Sequence, residues 1–175
     1  MFKVKPMVLT ALFIALGVVV PLLFHSVPNA GRVFLPMHIP ILLCGMICGF
    51  PYGAVCGLLT PLMSSLLTGM PPVAMLPSML CELVVYGTVA ALLMRYLPVK
   101  AIYAKTYFSL IGAMLAGRIV YGVLNALIFN AGSYSLSIWL SAAFVTALPG
   151  IVIQLCLIPS LVVVLRKAKL MNFSG

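Results

Sequence analysis

The sequence has almost no acidic side chains. Glu82 is the only carboxylate side chain among 175 residues, and there is no Asp. Paired-carboxylate hydrolysis, two-metal catalysis and aspartyl phosphorylation each need at least two acids or an Asp, so this composition excludes them. The chain also lacks the Gly-rich loop ending in Lys-Ser or Lys-Thr that holds nucleotide phosphates. We therefore predict that the chain is not an enzyme, binds no cofactor or metal, and relies on partners for any ATP hydrolysis.

Charged residues of both signs are scarce. Only 6% of the chain is charged while 65% is hydrophobic, and the mean hydropathy is +1.30. A water-soluble domain of this length could not bury so much apolar surface, so membrane lipid is the expected solvent. The net charge of +9 does not indicate nucleic acid binding, because the basic residues flank apolar segments instead of forming one solvated face.

Six apolar runs predict an all-α integral membrane protein with a single transmembrane domain over residues 1–175. A hydrocarbon core of about 30 Å needs roughly 20 apolar residues per helix. A tight break at residues 49–51 separates the second run from the third, and both are short. Prolines within the spans are expected to kink their helices; they are Pro61, Pro77, Pro149 and Pro159. The predicted spans are 7–24, 37–50, 52–67, 72–96, 107–129 and 138–165.

The basic residues predict the orientation in the membrane. If the N-terminus is cytoplasmic, Arg32 lies outside, Arg118 lies within the fifth span, and the other eight basic residues lie inside. We therefore expect both termini in the cytoplasm, with one long outer loop over residues 25–35. The inner basic residues are Lys3, Lys5, Arg95, Lys100, Lys105, Arg166, Lys167 and Lys169.

Two charged residues fall within predicted spans at similar depth from the outer surface. Polar groups at bilayer depth are costly, so each needs a partner or a function. Glu82 in the fourth span and Arg118 in the fifth predict a buried ion pair. The same guanidinium also suits a ligand carboxylate or carbonyl, and Glu82 suits an amine or ring N–H.

Further polar and aromatic residues lie near this pair or toward the outer surface. Tyr86 follows Glu82 by one helical turn, and Tyr121 and Asn125 continue a helical stripe from Arg118. Trp139 fits either a pocket mouth or an interfacial aromatic belt. The histidines that flank the outer loop, His25 and His38, also fit solvated interfacial residues. The full candidate set for a ligand pocket open to the outside is Arg32, His38, Glu82, Tyr86, Arg118, Tyr121, Asn125, Trp139 and Gln154.

Several segments together resemble one family over essentially the whole length. They are ALFIA at 11–15, LPMHIP at 35–40, CGMICG at 44–49, SSLLTGMPP at 64–72 and MLAGRIVYG at 114–122. The chain resembles the S component, the substrate-specific subunit, of energy-coupling factor (ECF) transporters, which import vitamins into bacteria and archaea.

The resemblance implies a six-helix S-component bundle in a prokaryotic plasma membrane. It also implies that Ala11 and Ala15 face a transmembrane coupling subunit and that two cytoplasmic ATPase subunits drive uptake. The substrate would be a water-soluble vitamin or vitamin precursor, bound in the outer half before the S component topples in the bilayer. No motif in the sequence selects among riboflavin, thiamine, biotin, folate, pantothenate and pyridoxine.

Three other functions fit parts of the sequence. A stand-alone proton-coupled secondary transporter would use Glu82 as its proton carrier. An intramembrane enzyme would have to pair Ser64 or Ser65 with the distant His38, which nothing in the sequence orients. A structural membrane protein without a ligand would use the polar residues of the fifth span only to hold helices together.

Overall fold

The computed structural model describes residues 4–24, 30–129 and 134–168, and the regular structure within these ranges is entirely helical. Lys3, His25 and Lys169 lie outside the described residues. Asn125–Phe129 is a π-helical continuation of the sixth α-helix, and Ser141–Thr146 is a second π-helical segment after the seventh. The α-helices are α1 Val4–Leu22, α2 Ala30–Phe34, α3 His38–Cys48, α4 Tyr52–Thr68, α5 Leu76–Tyr96, α6 Ile102–Leu124, α7 Leu136–Leu140 and α8 Leu148–Lys167.

Five helical segments in the described part of the chain are long and apolar enough to cross a membrane, which identifies a multi-span membrane protein. The predicted third span, over 52–67, forms α4, but this helix has 17 residues and is shorter than each of these five segments. The count of six spans therefore stays a prediction. The five segments are Val4–Leu22, Gly31–Cys48, Leu76–Tyr96, Ile102–Phe129 and Leu148–Lys167.

The last predicted span, over 138–165, is not one continuous helix. A short α7, a π-helical segment and a turn at Ala147 precede α8. The predicted kinks at Pro77 and Pro149 were also wrong, because these prolines lie in the first turns of α5 and α8. A proline in the first turn removes an N–H that has no partner within the helix, so it helps the helix to begin. Pro61 and Pro159 do lie inside α4 and α8.

The predicted outer loop contains a helix. Residues 30–34 form α2, which packs against α8. The backbone of Val33 and Phe34 approaches Gly150 so closely that a Cβ at this position would lie 2.8 Å from the Phe34 carbonyl group. This segment of the predicted loop is therefore part of the packed bundle.

Glycines bring α3, α4 and α5 into backbone contact. A Cβ added at Gly45, Gly53 or Gly57 would overlap backbone atoms of α5, and one added at Gly87 would overlap the carbonyl group of Gly53. Small residues allow this approach where lipid supplies no hydrophobic force between helices. α3 also contacts α1 and α8 and is buried along most of its length. The predicted break before α4 is confirmed by the turn at Gly49, whose φ is +79°.

Candidate functional site

The predicted ion pair between α5 and α6 is present. Arg118 Nη1 lies 3.2 Å from Glu82 Oε1, and the two residues are 8% and 3% exposed. The helices approach closely here because Gly117 has no side chain to collide with the Tyr86 ring. Both charges are therefore held inside the bundle, where their attraction offsets part of the cost of burying each charge.

His38 joins this pair from the first turn of α3. Its Nε2 lies 4.0 Å from Glu82 Oε1, and its ring centroid lies 5.2 Å from that of Tyr86. Tyr86 is one turn beyond Glu82, and its hydroxyl lies within electrostatic range of the Glu82 carboxylate. The interpretation of His38 as a solvated interfacial residue was wrong, because the residue is only 3% exposed. Its burial follows from the packing of α3 against α5.

The predicted stripe on α6 continues from Arg118 to the start of the π-helical segment. Asn125 is 3% exposed, and its Nδ2 donates a 2.8 Å hydrogen bond to the Tyr121 carbonyl. Tyr121 is half-buried, and its side chain lies near Ser78 of α5. Sequence reasoning missed Ser78, although it lies one turn before Glu82 on the same face of α5.

Trp139 of α7 lies against α6 beside the ion pair. Its Nε1 donates a 2.9 Å hydrogen bond to the Arg118 carbonyl, and its indole packs over Gly122. The ring also makes an edge-to-face contact with Phe144, with centroids 5.7 Å apart. Trp139 is therefore attached to the backbone of the residue that carries the buried guanidinium.

Two further candidates take different positions. Arg32 of α2 is exposed, and its Nη2 lies 3.1 Å from Met75 Sδ. Tyr121 is within electrostatic range of Arg32 as well as of Glu82 and Arg118. Gln154 of α8 is fully buried, but no contact places its amide against the ion pair.

Several buried polar atoms of the candidate residues have no hydrogen-bonding partner among the described residues. Native proteins satisfy the great majority of such atoms, so a group of them is unusual in a purely structural core. Convergent polar groups of this kind are typical of ligand sites. The atoms are His38 Nδ1 and Nε2, Glu82 Oε1, Arg118 Nε and Nη2, and both amide atoms of Gln154. The Tyr134 hydroxyl, which sequence reasoning missed, has no described partner either.

An apolar cavity of about 230 Å³ opens beside Arg118, between α6, the π-helical segment 141–146 and α8. Arg118 is the one charged residue in its lining. The remaining lining residues are Ile111, Met114, Leu115, Ala143, Phe144, Ile151 and Leu155. One end of the guanidinium therefore faces Glu82, while the side chain also borders an apolar space.

The remaining predicted residues lie away from this cluster. Ala11 and Ala15 are exposed on α1, whose buried face is formed by Thr10, Phe13 and Gly17.

The serine hydroxyls considered for catalysis bond to the turn after α4. Ser64 Oγ donates to the Met70 carbonyl at 2.6 Å, and Ser65 Oγ donates to the Pro71 carbonyl at 2.9 Å. This pairing gives both serines a structural role.

These features define a multi-span helical membrane protein with a buried charged cluster beside an apolar cavity. Residues 5–162 match the family model for the ECF transporter, substrate-specific component. Because the match covers most of the chain, the protein belongs to this family. Its members are substrate-binding transporter subunits, not enzymes, and they work with a coupling subunit and ATPases. No curated protein and no solved structure gives a significant match.

Proposed function

We propose that this S component captures a water-soluble vitamin or vitamin precursor from outside the cell and delivers it for ATP-driven uptake. The observation that supports this function is the cluster of His38, Glu82 and Arg118, which is buried and carries polar atoms without partners in the described structure. Polar atoms in that state have hydrogen-bonding capacity that a polar ligand can use.

The proposed roles follow from position. Arg118 and Glu82 bind the polar groups of the ligand, and His38 and Tyr86 position the Glu82 carboxylate. Trp139, Tyr121 and Asn125 form the wall on the α6 and α7 side. Arg32 lies at the entrance, where its exposed guanidinium attracts ligand, and Gln154 contributes a buried amide from α8.

The proposed partners are a transmembrane coupling subunit and two cytoplasmic ATPase subunits. Ala11 and Ala15 are exposed on α1, and small residues at this spacing allow another helix to pack closely. We propose α4 as a short sixth span, both termini in the cytoplasm and a prokaryotic plasma membrane, in agreement with the distribution of basic residues.

The experiment that tests ligand capture is native mass spectrometry and thermal-shift screening of the purified full chain against water-soluble vitamins and their precursors. A ligand present at about 100 times its Kd stabilises the folded state by about 2.7 kcal/mol. We expect one compound or a closely related group to bind at a 1:1 ratio and raise the unfolding temperature. Well-folded protein that binds no compound in the panel would contradict the vitamin assignment.

Transport assays test the energy source. We expect vesicles containing this chain with its coupling and ATPase subunits to accumulate the ligand only when ATP is supplied. Accumulation by the chain alone, driven by a proton gradient and insensitive to ATP depletion, would instead identify a secondary transporter that uses Glu82 as its proton carrier.

A further inference from the structure

We propose that the substrate is a small monocarboxylate, with its carboxylate bound by Nε and Nη2 of Arg118 and its apolar body in the adjoining cavity. This inference rests on the proposed function, since it names the chemical class of ligand for the same site. The charged end of the ligand is assigned to the edge of the Arg118 guanidinium that carries Nε and Nη2.

The nitrogen donors of Arg118 differ in whether they have a partner. Nη1 faces Glu82 at 3.2 Å, whereas Nε and Nη2 are buried without a hydrogen-bonding partner among the described residues. Nε and Nη2 lie on the same edge of the planar guanidinium, with their N–H bonds nearly parallel. That edge matches the two oxygens of a carboxylate, which accepts both hydrogen bonds at once.

The charges around this part of the site are not balanced. Tyr121 lies within electrostatic range of Arg32, Glu82 and Arg118, so two positive groups and one negative group surround this part of the site. The Glu82 carboxylate already interacts with Arg118 and with the Tyr86 hydroxyl. A monoanionic ligand neutralises the remaining positive charge, whereas a cationic ligand adds to it. Electrostatics therefore favours an anion.

The cavity beside Arg118 is small and apolar. Apart from Arg118, its walls are apolar side chains such as Met114, Phe144 and Leu155. Its volume of about 230 Å³ is below the range of about 300–1,000 Å³ that is common for ligand pockets. A compact apolar body fits this space, and a two-chain lipid does not. We therefore assign the carboxylate to a small molecule that enters from water and not to a bilayer lipid.

Matched ligand probes test the assignment on the wild-type chain. Nicotinate, biotin and pantothenate would each be compared with the corresponding carboxamide, with riboflavin, thiamine and pyridoxine as vitamins that carry no carboxylate. Butyrate, hexanoate, octanoate and palmitate would extend the carboxylate series. We expect at least one small carboxylate to bind and its amide to bind about 10- to 100-fold more weakly, since a charged hydrogen-bonded contact is lost.

Each result of this screen decides the assignment. Selective binding of a carboxylate-free vitamin would overturn the carboxylate assignment while supporting vitamin capture. Binding of palmitate alone would also overturn it, by identifying a membrane-derived ligand. Absence of binding from both series would overturn the carboxylate assignment and the vitamin assignment together.

Arg118→Lys tests the role of the guanidinium edge. Lysine keeps the positive charge that Glu82 needs but lacks the two parallel donors. We expect about a 10- to 100-fold loss of affinity for the carboxylate probe, with little change for its amide. Arg95→Lys, in the last turn of α5, is the matched control and should leave binding unchanged. Equal losses for carboxylate and amide would contradict the assignment, and the wild-type comparison decides it if Arg118→Lys does not fold.

Discussion

Trp139 donates a hydrogen bond from its indole Nε1 to the backbone carbonyl of Arg118, across a distance of 2.9 Å. This bond joins the short helix α7 to the turn of α6 that carries the buried guanidinium. The indole lies directly over Gly122, where any larger residue would displace it. The position of Arg118 therefore depends on a residue that lies 21 positions further along the chain.

Replacing Trp139 with Phe should remove this hydrogen bond while keeping an aromatic ring near Phe144. We expect the unfolding free energy to fall by about 1 kcal/mol, the typical net value of one hydrogen bond. Ligand affinity should fall as well, because the α6 turn carrying Arg118 is held less firmly. Thermal unfolding followed by circular dichroism and ligand titration would measure both effects.

Tyr103→Phe is the control for this substitution, because it removes a hydroxyl from a residue that is 54% exposed. It should change neither quantity. Since Trp139 is the only tryptophan in the chain, its fluorescence in the wild type should also change when ligand binds. Unchanged stability and affinity in Trp139→Phe would show that the bond does not hold the site.

Removing one member of the buried ion pair should be far more damaging than removing both. Arg118→Met leaves Glu82 as an uncompensated buried charge, which costs about 3–5 kcal/mol. The double variant Glu82→Leu/Arg118→Met replaces both charges with apolar groups and should recover most of that stability. Thermal unfolding of the two single variants, the double variant and the wild type gives the coupling energy.

The same variants separate structure from ligand binding. We expect the double variant to fold yet to bind no ligand, because the proposed binding groups are gone. A double variant that folds and binds ligand with wild-type affinity would show that the pair only holds the helices together. Failure of the double variant to regain stability would mean that the pair itself is needed for the fold.

The ion pair and the α6 stripe could be predicted because they depend on depth and helical period alone. Glu82 and Arg118 lie at similar distances from the outer ends of neighbouring spans, and helical spacing places Asn125 on the same side as Arg118. These relationships need only the rise and period of an α-helix. The same reasoning found Tyr86, one turn from Glu82.

The burial of His38 could not be predicted in this way, because it depends on how α3 packs against α5. The sequence shows a histidine at the start of an apolar run, which fits a solvated boundary equally well. The backbone contacts that glycines such as Gly45 and Gly87 allow bring the two helices together. Such contacts between distant residues are invisible to hydropathy and period.

The irregular segments were missed for a related reason. The π-helical segments at 125–129 and 141–146 and the short helix α2 have no distinctive hydrophobic pattern. The apolar run at 138–165 looks like one span because hydropathy does not register the turn at Ala147. Only the packing of α2 against α8 and of Trp139 against α6 distinguishes these segments from ordinary loops or spans.

Gly87 should tolerate no side chain. A Cβ there would overlap the Gly53 carbonyl group, and neither backbone can move without separating α4 from α5. We expect Gly87→Ala to lower stability by about 1–3 kcal/mol or more, the usual cost of overpacking. Thermal unfolding of the purified chain would measure this effect.

Gly31→Ala is the control for Gly87→Ala, because an added Cβ at this helical position meets no atom within 4 Å. It should leave stability unchanged or raise it slightly, since alanine favours helix. Equal unfolding temperatures for the wild type and Gly87→Ala would show that the α4–α5 contact is looser than the structure indicates.

Ala11 provides a test of partner assembly that leaves the ligand site intact. It lies on the exposed face of α1, so a large side chain meets nothing within the subunit. We expect Ala11→Trp to abolish copurification with the coupling and ATPase subunits, because the bulk prevents close helix packing. Ligand binding by the isolated chain should stay unchanged. Leu12→Trp is the matched control and should assemble normally. Leu12 is the next residue and is 53% exposed, but its side chain points about 100° away around the helix. Normal assembly of Ala11→Trp would place the docking surface on another face of the bundle.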